Sequence, residues 1–239
     1  GPGRVIDYAV HMRRLPAERM MDRLLESGGL TDAMLRELAQ RLAEFHAGSQ
    51  TDRRIAEYGD WAIRYAWDEN IRQWADYIGD TISAEQDRII RAYGKAFIAR
   101  EGELLRRRVA ELRIRDCHGD LRSDAVCFTD GVCIYDCIDF NRRLRYTDVA
   151  GDVGFLAMDM DYRGHGERAG AFVDAYVDAS GDRDLRGVID FYKCYRACVR
   201  GKVEGFRSRA AEVPASERRQ AVRAARRYFE LACRYARPL

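Results

Sequence analysis

Lysine is almost missing from this sequence: of 41 basic residues only Lys95, Lys193 and Lys202 are not arginine. Genomic base composition explains that bias as readily as chemistry does, so no function is attached to it. An excess of charge of one sign is also missing, because 39 acidic residues leave a net charge of +2. So weak a field excludes a protein that holds nucleic acid mainly by its charge. No apolar run approaches the ~20 residues of a membrane span. The opening Gly1-Pro2-Gly3 has no signal-peptide core, and a soluble, cytoplasmic protein with neither membrane nor nucleic-acid partner is expected. The seven cysteines form an odd set with no C-x-x-C pair, and Cys127, Cys133 and Cys137 lie in apolar runs. That usage suits a reduced cytosolic core better than disulfides. Cys194 and Cys198 share a helical face without third and fourth ligands nearby, so they read as packing rather than a metal site.

What is present is enough apolar material for a sizeable core, 47% of 239 residues. Val5 to Met12 is β-branched and aromatic and predicts a strand, after which Pro16 opens a helix that runs to Ser27 and closes at Gly28-Gly29. Thr31 is placed to cap a second helix whose Met34, Leu35, Leu38, Leu42 and Phe45 form an apolar stripe before Gly48. Tyr58 to Ile78 carries Trp61, Trp67 and Trp74 at helical spacing, which predicts helix packing. Ser83 and Gln86 form a capping box for a helix reaching about Leu112. From Arg113 the pattern changes to short runs, Ile114 to Cys117, Ala125 to Phe128 and Val132 to Asp136, broken by turns such as Thr129-Asp130-Gly131. These read as small hairpin strands. Helical periodicity returns in Val149 to Met160, Ala169 to Ala179, Leu185 to Phe206 and Ser216 to Tyr235. No repeat or low-complexity linker interrupts the chain.

Between the helical blocks, Cys117-His118-Gly119-Asp120-Leu121 leads through a hairpin to a predicted strand ending in Asp139-Phe140, and then to Asp148 and Asp152. Carboxylates at strand ends and turns suit phosphoryl transfer, where one orients the attacking hydroxyl and another holds the magnesium that neutralises phosphate oxygens. The stretch HGDLRSDAVCF with YDCIDF and DVAGD resembles the catalytic and metal-binding loops of aminoglycoside phosphotransferases and related choline-kinase-like enzymes. The likeness is strong over residues 113–161. It extends more weakly to Leu42-Ala43-Glu44-Phe45-His46 and to the opening VIDYAVHMRRLP, which is similar to the strand entering the hinge between the two kinase lobes. An uncharacterised bacterial subgroup, some of whose members are fused to a P-loop kinase domain, is similar in particular.

The resemblance implies the large C-terminal lobe of a protein-kinase-like fold: mainly α with small β-hairpins, an α+β chain. In that reading residues 1–14 are a residual strand and hinge, and residues 15–239 are the large lobe. Within the lobe, 53–112 is a variable substrate region, 113–161 the catalytic and metal loops, and 162–239 the C-terminal helices. Asp120 is implied as the catalytic aspartate with His118 buttressing its loop, and Asp139 as the chief magnesium ligand. Met12 and Arg13 at the hinge are the residues that would meet ATP. Asp148 and Asp152 receive structural roles, Asp152 by capping or anchoring its helix.

Two departures stand out. Where the family has a metal-ligating asparagine, five residues after the catalytic aspartate, this chain has Ala125. Asp124, or else Asp136, is then the alternative ligand. No Gly-rich loop or strand lysine is present to grip a triphosphate, which leads to the expectation of a missing N-terminal lobe. The implied function is ATP- and Mg2+-dependent phosphorylation of a hydroxyl on a small molecule; the alternative is a degenerate pseudokinase-like binding or regulatory module. Other acids and bases have blander readings. His46 reads as a packing or capping residue, and Asp159 and Asp161 as solvated helix ends or as acids attracting a cationic substrate. Arg106 to Arg108 read as the wet face of a helix.

Overall fold

A computed structural model describes residues 7–9 and 14–236. The sequence-predicted strand over Val5 to Met12 lies outside them apart from residues 7–9, which are irregular and exposed. Met12 and Arg13 also lie outside the described residues. Among those described there are ten α-helices and four short strands, the mainly α architecture with small β elements that the sequence implied.

The helix expected from Pro16 is divided into a 3-10 turn, Ala17–Arg19, and α1, Met21–Ser27. Met20 between them is extended (φ −69°, ψ 138°) because its backbone bridges to Cys127. Gly28, at φ 71°, closes α1 in the left-handed region that glycine adopts without cost. In α2, Asp32–Gly48, Thr31 Oγ1 accepts from Met34 N at 3.3 Å. Leu35, Leu38 and Leu42 are buried as the stripe predicts, but Phe45 is 40% exposed. The inward position at that end of the helix belongs to His46 instead.

α3, Arg53–Trp74, is capped by Asp52, whose Oδ1 accepts from Ile55 N at 2.8 Å. Trp67 and Trp74 are seven residues, about two turns, apart and both are buried. Trp61 is six residues from Trp67, rotates off that face, and is 49% exposed against Tyr65. α4, Ala84–Arg100, has the predicted capping box. It does not reach Leu112: the backbone leaves helical geometry at Glu101 (φ −91°, ψ 19°), and a separate α5, Gly102–Ala110, follows. The change of direction lets Arg108 turn into the core rather than face water. Gly94 of α4 lies against Trp67, where a Cβ would enter the indole.

The strands make two antiparallel pairs. β1, Ile114–Asp116, pairs with β4, Tyr146–Asp148; β2, Val126–Thr129, pairs with β3, Gly131–Ile134. The expected strand into Asp139-Phe140 does not form. Asp136 sits at φ 63° and turns the chain away from the ladder, leaving residues 135–139 without regular structure. After α6, Arg142–Arg145, the long helices α7 (Ala150–Tyr162), α8 (Gly166–Ser180), α9 (Leu185–Arg209) and α10 (Ala215–Tyr235) complete the lobe. Every residue of α7 from Ala150 to Met160 is buried, as befits a helix enclosed on all sides. It packs against α8 and α9, and α10 covers the far side of α9. Cys194 and Cys198 are buried in that core.

Candidate active site

The His-Gly-Asp segment is the loop that leaves β1, and one carboxylate from the central helix holds it. Asp152 of α7 is fully buried, accepting from His118 N at 2.7 Å and from Gly119 N at 2.9 Å. Gly119 has φ 86°, and a Cβ there would lie 2.8 Å from Leu144 O. Only glycine fits both demands. His118 Nε2 lies 2.8 Å from Tyr135 O, and Asp120 N donates to His118 Nδ1 at 3.3 Å. A neutral ring protonated on Nε2 satisfies both contacts. His118 therefore braces the turn.

His46 reaches the same anchor from α2, with Nε2 3.3 Å from Asp152 Oδ2 and Nδ1 2.7 Å from Tyr176 Oη. Burial alone would raise the Asp152 carboxyl. The hydrogen bond from His46, with the nearby positive charge of Arg196, outweighs it and holds the group below its ordinary value. Cys117 completes a buried trio with His46 and Asp152 whose potential ligand atoms lie within 4.8 Å of one another. Each already has a partner, Cys117 Sγ bonding Thr147 O at 3.4 Å. Burial pushes the Cys117 thiol well up, away from the thiolate that a metal takes. The trio is an anchor for the loop. Asp152 thus secures the neighbouring loop rather than its own helix, and no local signal in the sequence joins it to His46.

Asp120 projects from this braced loop with its side chain 35% exposed. Its near neighbour is Arg122, whose Nε is 3.5 Å from Asp120 Oδ2 and whose Nη1 is 2.8 Å from Asp124 Oδ2. Asp124 lies in the 3-10 turn Ser123–Ala125. Its other oxygen, Oδ1, is sealed from solvent without a hydrogen-bond partner. The turn is pinned by Asp159, which accepts from Ser123 N at 3.1 Å and from the Ser123 hydroxyl, and pairs with Arg163 at 3.1 Å. Asp159 is buried, and Asp161 is engaged by Tyr235 Oη at 2.5 Å and Lys193 Nζ at 2.6 Å. Neither is a solvated helix end or an acid left open to a cationic substrate.

Asp139 is exposed on the segment that follows β3, and Ile138 N donates to His118 O at 3.0 Å, which ties this segment to the His-Gly-Asp loop. No hydrogen bond or ion pair links Asp139 to Asp120 or Asp124 among the described residues. Asp136 is exposed beside it. Asp148 is buried and structural, pairing with Arg108 at 2.6 and 2.7 Å and accepting from Ala150 N. Arg108 also binds Asp182 through two contacts of 2.9 Å. It is the one member of the Arg106 to Arg108 run that is not on a wet face. A cavity of about 780 Å³ between α4 and α10, lined by Ile89, Tyr93, Phe97 and Cys233, lies apart from this loop.

A mainly helical lobe that presents a braced His-Gly-Asp loop, with further carboxylates on the two turns beside it, has the form of a phosphotransferase catalytic lobe. The chain belongs to the phosphotransferase enzyme family, whose model matches residues 5–192. Uncharacterised proteins of Mycobacterium tuberculosis and Mycobacterium bovis are 32% identical over 200 residues, 83% of this chain and 40% of theirs. The chain thus spans two fifths of the length of these relatives. Among solved structures, a glucosamine kinase (crystal form A) is similar with a TM-score of 0.48 at 17% identity, covering 88% of this chain and 55% of that one. The same values for score, identity and share of this chain hold for a glucosamine kinase in complex with glucosamine, ADP and inorganic phosphate, of which 53% is covered.

Proposed function

We propose that this chain supplies the catalytic loop of an ATP- and Mg2+-dependent phosphotransferase that acts on a hydroxyl of a small molecule. The observation that supports the reading best is the contrast between two aspartates. Asp152 is wholly buried and spends both oxygens on loop backbone, while Asp120, on the loop so held, keeps a carboxylate partly open to solvent. A fixed, accessible carboxylate is what orients an attacking hydroxyl and receives its proton. His118 keeps the turn in shape. The orphaned Asp124 Oδ1 favours a cation at this turn, and Asp139 is exposed on the segment tied to the same loop through Ile138 N and His118 O. Asp139 and Asp124 are the residues that would hold Mg2+, which when bound supplies positive charge to the phosphate oxygens.

The test is Asp120→Asn in a protein that also carries a nucleotide-gripping lobe, assayed by single-turnover phosphorylation and nucleotide titration. Loss of general-base assistance is worth roughly 10²–10⁴-fold, so turnover falls by about that range with nucleotide affinity kept within a few-fold and melting temperature nearly unchanged. An Asp120→Asn protein that unfolds, with its folded fraction fully active, would show the residue to be a loop anchor. In the same protein Asp139→Ala should abolish Mg2+-dependent nucleotide binding while Asp136→Ala leaves most of it.

A second reading, a binding or regulatory module without turnover, is favoured by Ala125. Its methyl is buried in the 3-10 turn where the family's asparagine would ligate. Mg2+-dependent nucleotide binding with no transfer to any hydroxyl acceptor would select this reading.

A further inference from the structure

Arg122 has a position that the preceding reading does not use. Its guanidinium spans the two carboxylates on either side of it in sequence, 2.8 Å from Asp124 Oδ2 and 3.5 Å from Asp120 Oδ2, and the side chain is only 20% exposed. The longer contact falls short of a hydrogen bond, and Arg122 Nε is sealed from solvent without an acceptor. The arginine is thus held firmly at Asp124 and loosely at Asp120. Asp124 cannot withdraw from it, because the Asp159 clasp on Ser123 fixes the turn. A divalent ion approaching Asp124 meets a like charge already in place, partly shielded from solvent, where like-charge repulsion is stronger than in water.

We propose that Arg122 is a tethered counter-cation that keeps the Asp120–Asp124 turn from accepting a divalent ion alone, and that it is drawn off when the ion arrives with a polyphosphate. The inference rests on the reading of this loop as a phosphoryl-transfer site. A polyphosphate offers the guanidinium several charged acceptors, which its planar fork suits better than the single Asp124 oxygen it leaves. Asp124 is then released to the metal with both oxygens free. The device makes metal and nucleotide enter together, and it places the selectivity of the site in one flexible side chain next to the proposed base.

The test uses Mn2+ as the probe, with affinity for the purified chain read by water-proton relaxation and folding checked by thermal melting. Arg122→Gln should bind Mn2+ about tenfold more tightly than the parent, since a unit charge a few ångströms from the ion has been removed in a partly screened site. Arg122→Lys, which keeps the charge, should stay near the parent affinity. The double variant Arg122→Gln/Asp124→Asn should lose the gain. A folded Arg122→Gln chain that binds Mn2+ no more tightly than the parent overturns the proposal, as does a gain that survives in the double variant. Asp139→Asn separates the two levels. If it leaves Mn2+ affinity untouched while Arg122→Gln raises it, the assignment of Asp139 as ligand fails and the role of Arg122 stands.

Discussion

Replacing Asp152 by asparagine isolates the anchor under the His-Gly-Asp loop. Oδ2 takes His118 N at 2.7 Å and His46 Nε2 at 3.3 Å, and Oδ1 takes Gly119 N at 2.9 Å. Asparagine keeps one acceptor, so at best Gly119 N loses its partner and faces an NH2 group instead. A hydrogen bond to a charged group is worth roughly 1.5–3 kcal/mol, and an orphaned buried donor costs about 1–3 kcal/mol more. A loss near 3 kcal/mol is expected, which in a chain of this size lowers the melting temperature by about 6–12 °C. The pH dependence follows from the depressed carboxyl of Asp152. Such a group stabilises the fold fully above its unfolded value, near 3.8, and the contribution disappears as pH falls through the lower folded value. The acid limb of the stability profile, below about pH 4, should therefore be flatter in Asp152→Asn than in the parent. Thermal melts followed by circular dichroism from pH 7 to pH 2 measure both effects. An asparagine variant melting within about 2 °C of the parent at pH 7, with an unchanged acid limb, would refute the account of the anchor.

Arg108→Ala leaves Asp148 and Asp182 buried without their counter-charge. It should cost about 3–5 kcal/mol in urea denaturation, whereas Arg106→Ala on the exposed face should cost almost nothing. Gly94→Ala would gain up to ~1 kcal/mol of helix propensity in isolation. Here it should destabilise by about 1–3 kcal/mol, because the methyl meets the Trp67 indole, and a rise in melting temperature would contradict the packing. Thr31→Ala removes the acceptor for Met34 N and should cost ~1 kcal/mol, with Thr31→Ser restoring most of it.

The anchored loop also explains how the lobe divides its work. Residues that fix the site are sealed in α2, α7 and α8, as with His46, Asp152 and Tyr176. Those proposed to do chemistry sit on irregular segments or turns and are half-buried, as with Asp120 and Asp124, or exposed, as with Asp139. Buried carboxylates can be spent on backbone donors at fixed geometry, while exposed ones remain available to a ligand. The same residue type therefore serves both ends of the device, and burial decides which.

Local chemistry carried much of this fold in plain view. Thr31 and Ser83 cap their helices by hydrogen bonds that span three residues, so the sequence alone determines where those helices begin. The Leu35, Leu38 and Leu42 stripe determines which face goes inward, and the Thr129-Asp130-Gly131 turn determines the β2–β3 pair. The His-Gly-Asp loop and the acids that follow it are likewise readable one after another along the chain. What no local pattern contains is a partner far away in sequence. His46 and Asp152 are 106 residues apart, and Arg108 and Asp182 are 74 apart, so each looks like an ordinary polar residue until the elements that carry them pack. The split between α4 and α5, the outward turn of Phe45, and the departure of residues 135–139 from the expected strand have the same origin. In each case helix packing, or a contact with the His-Gly-Asp loop, outweighed a local preference of order 1 kcal/mol.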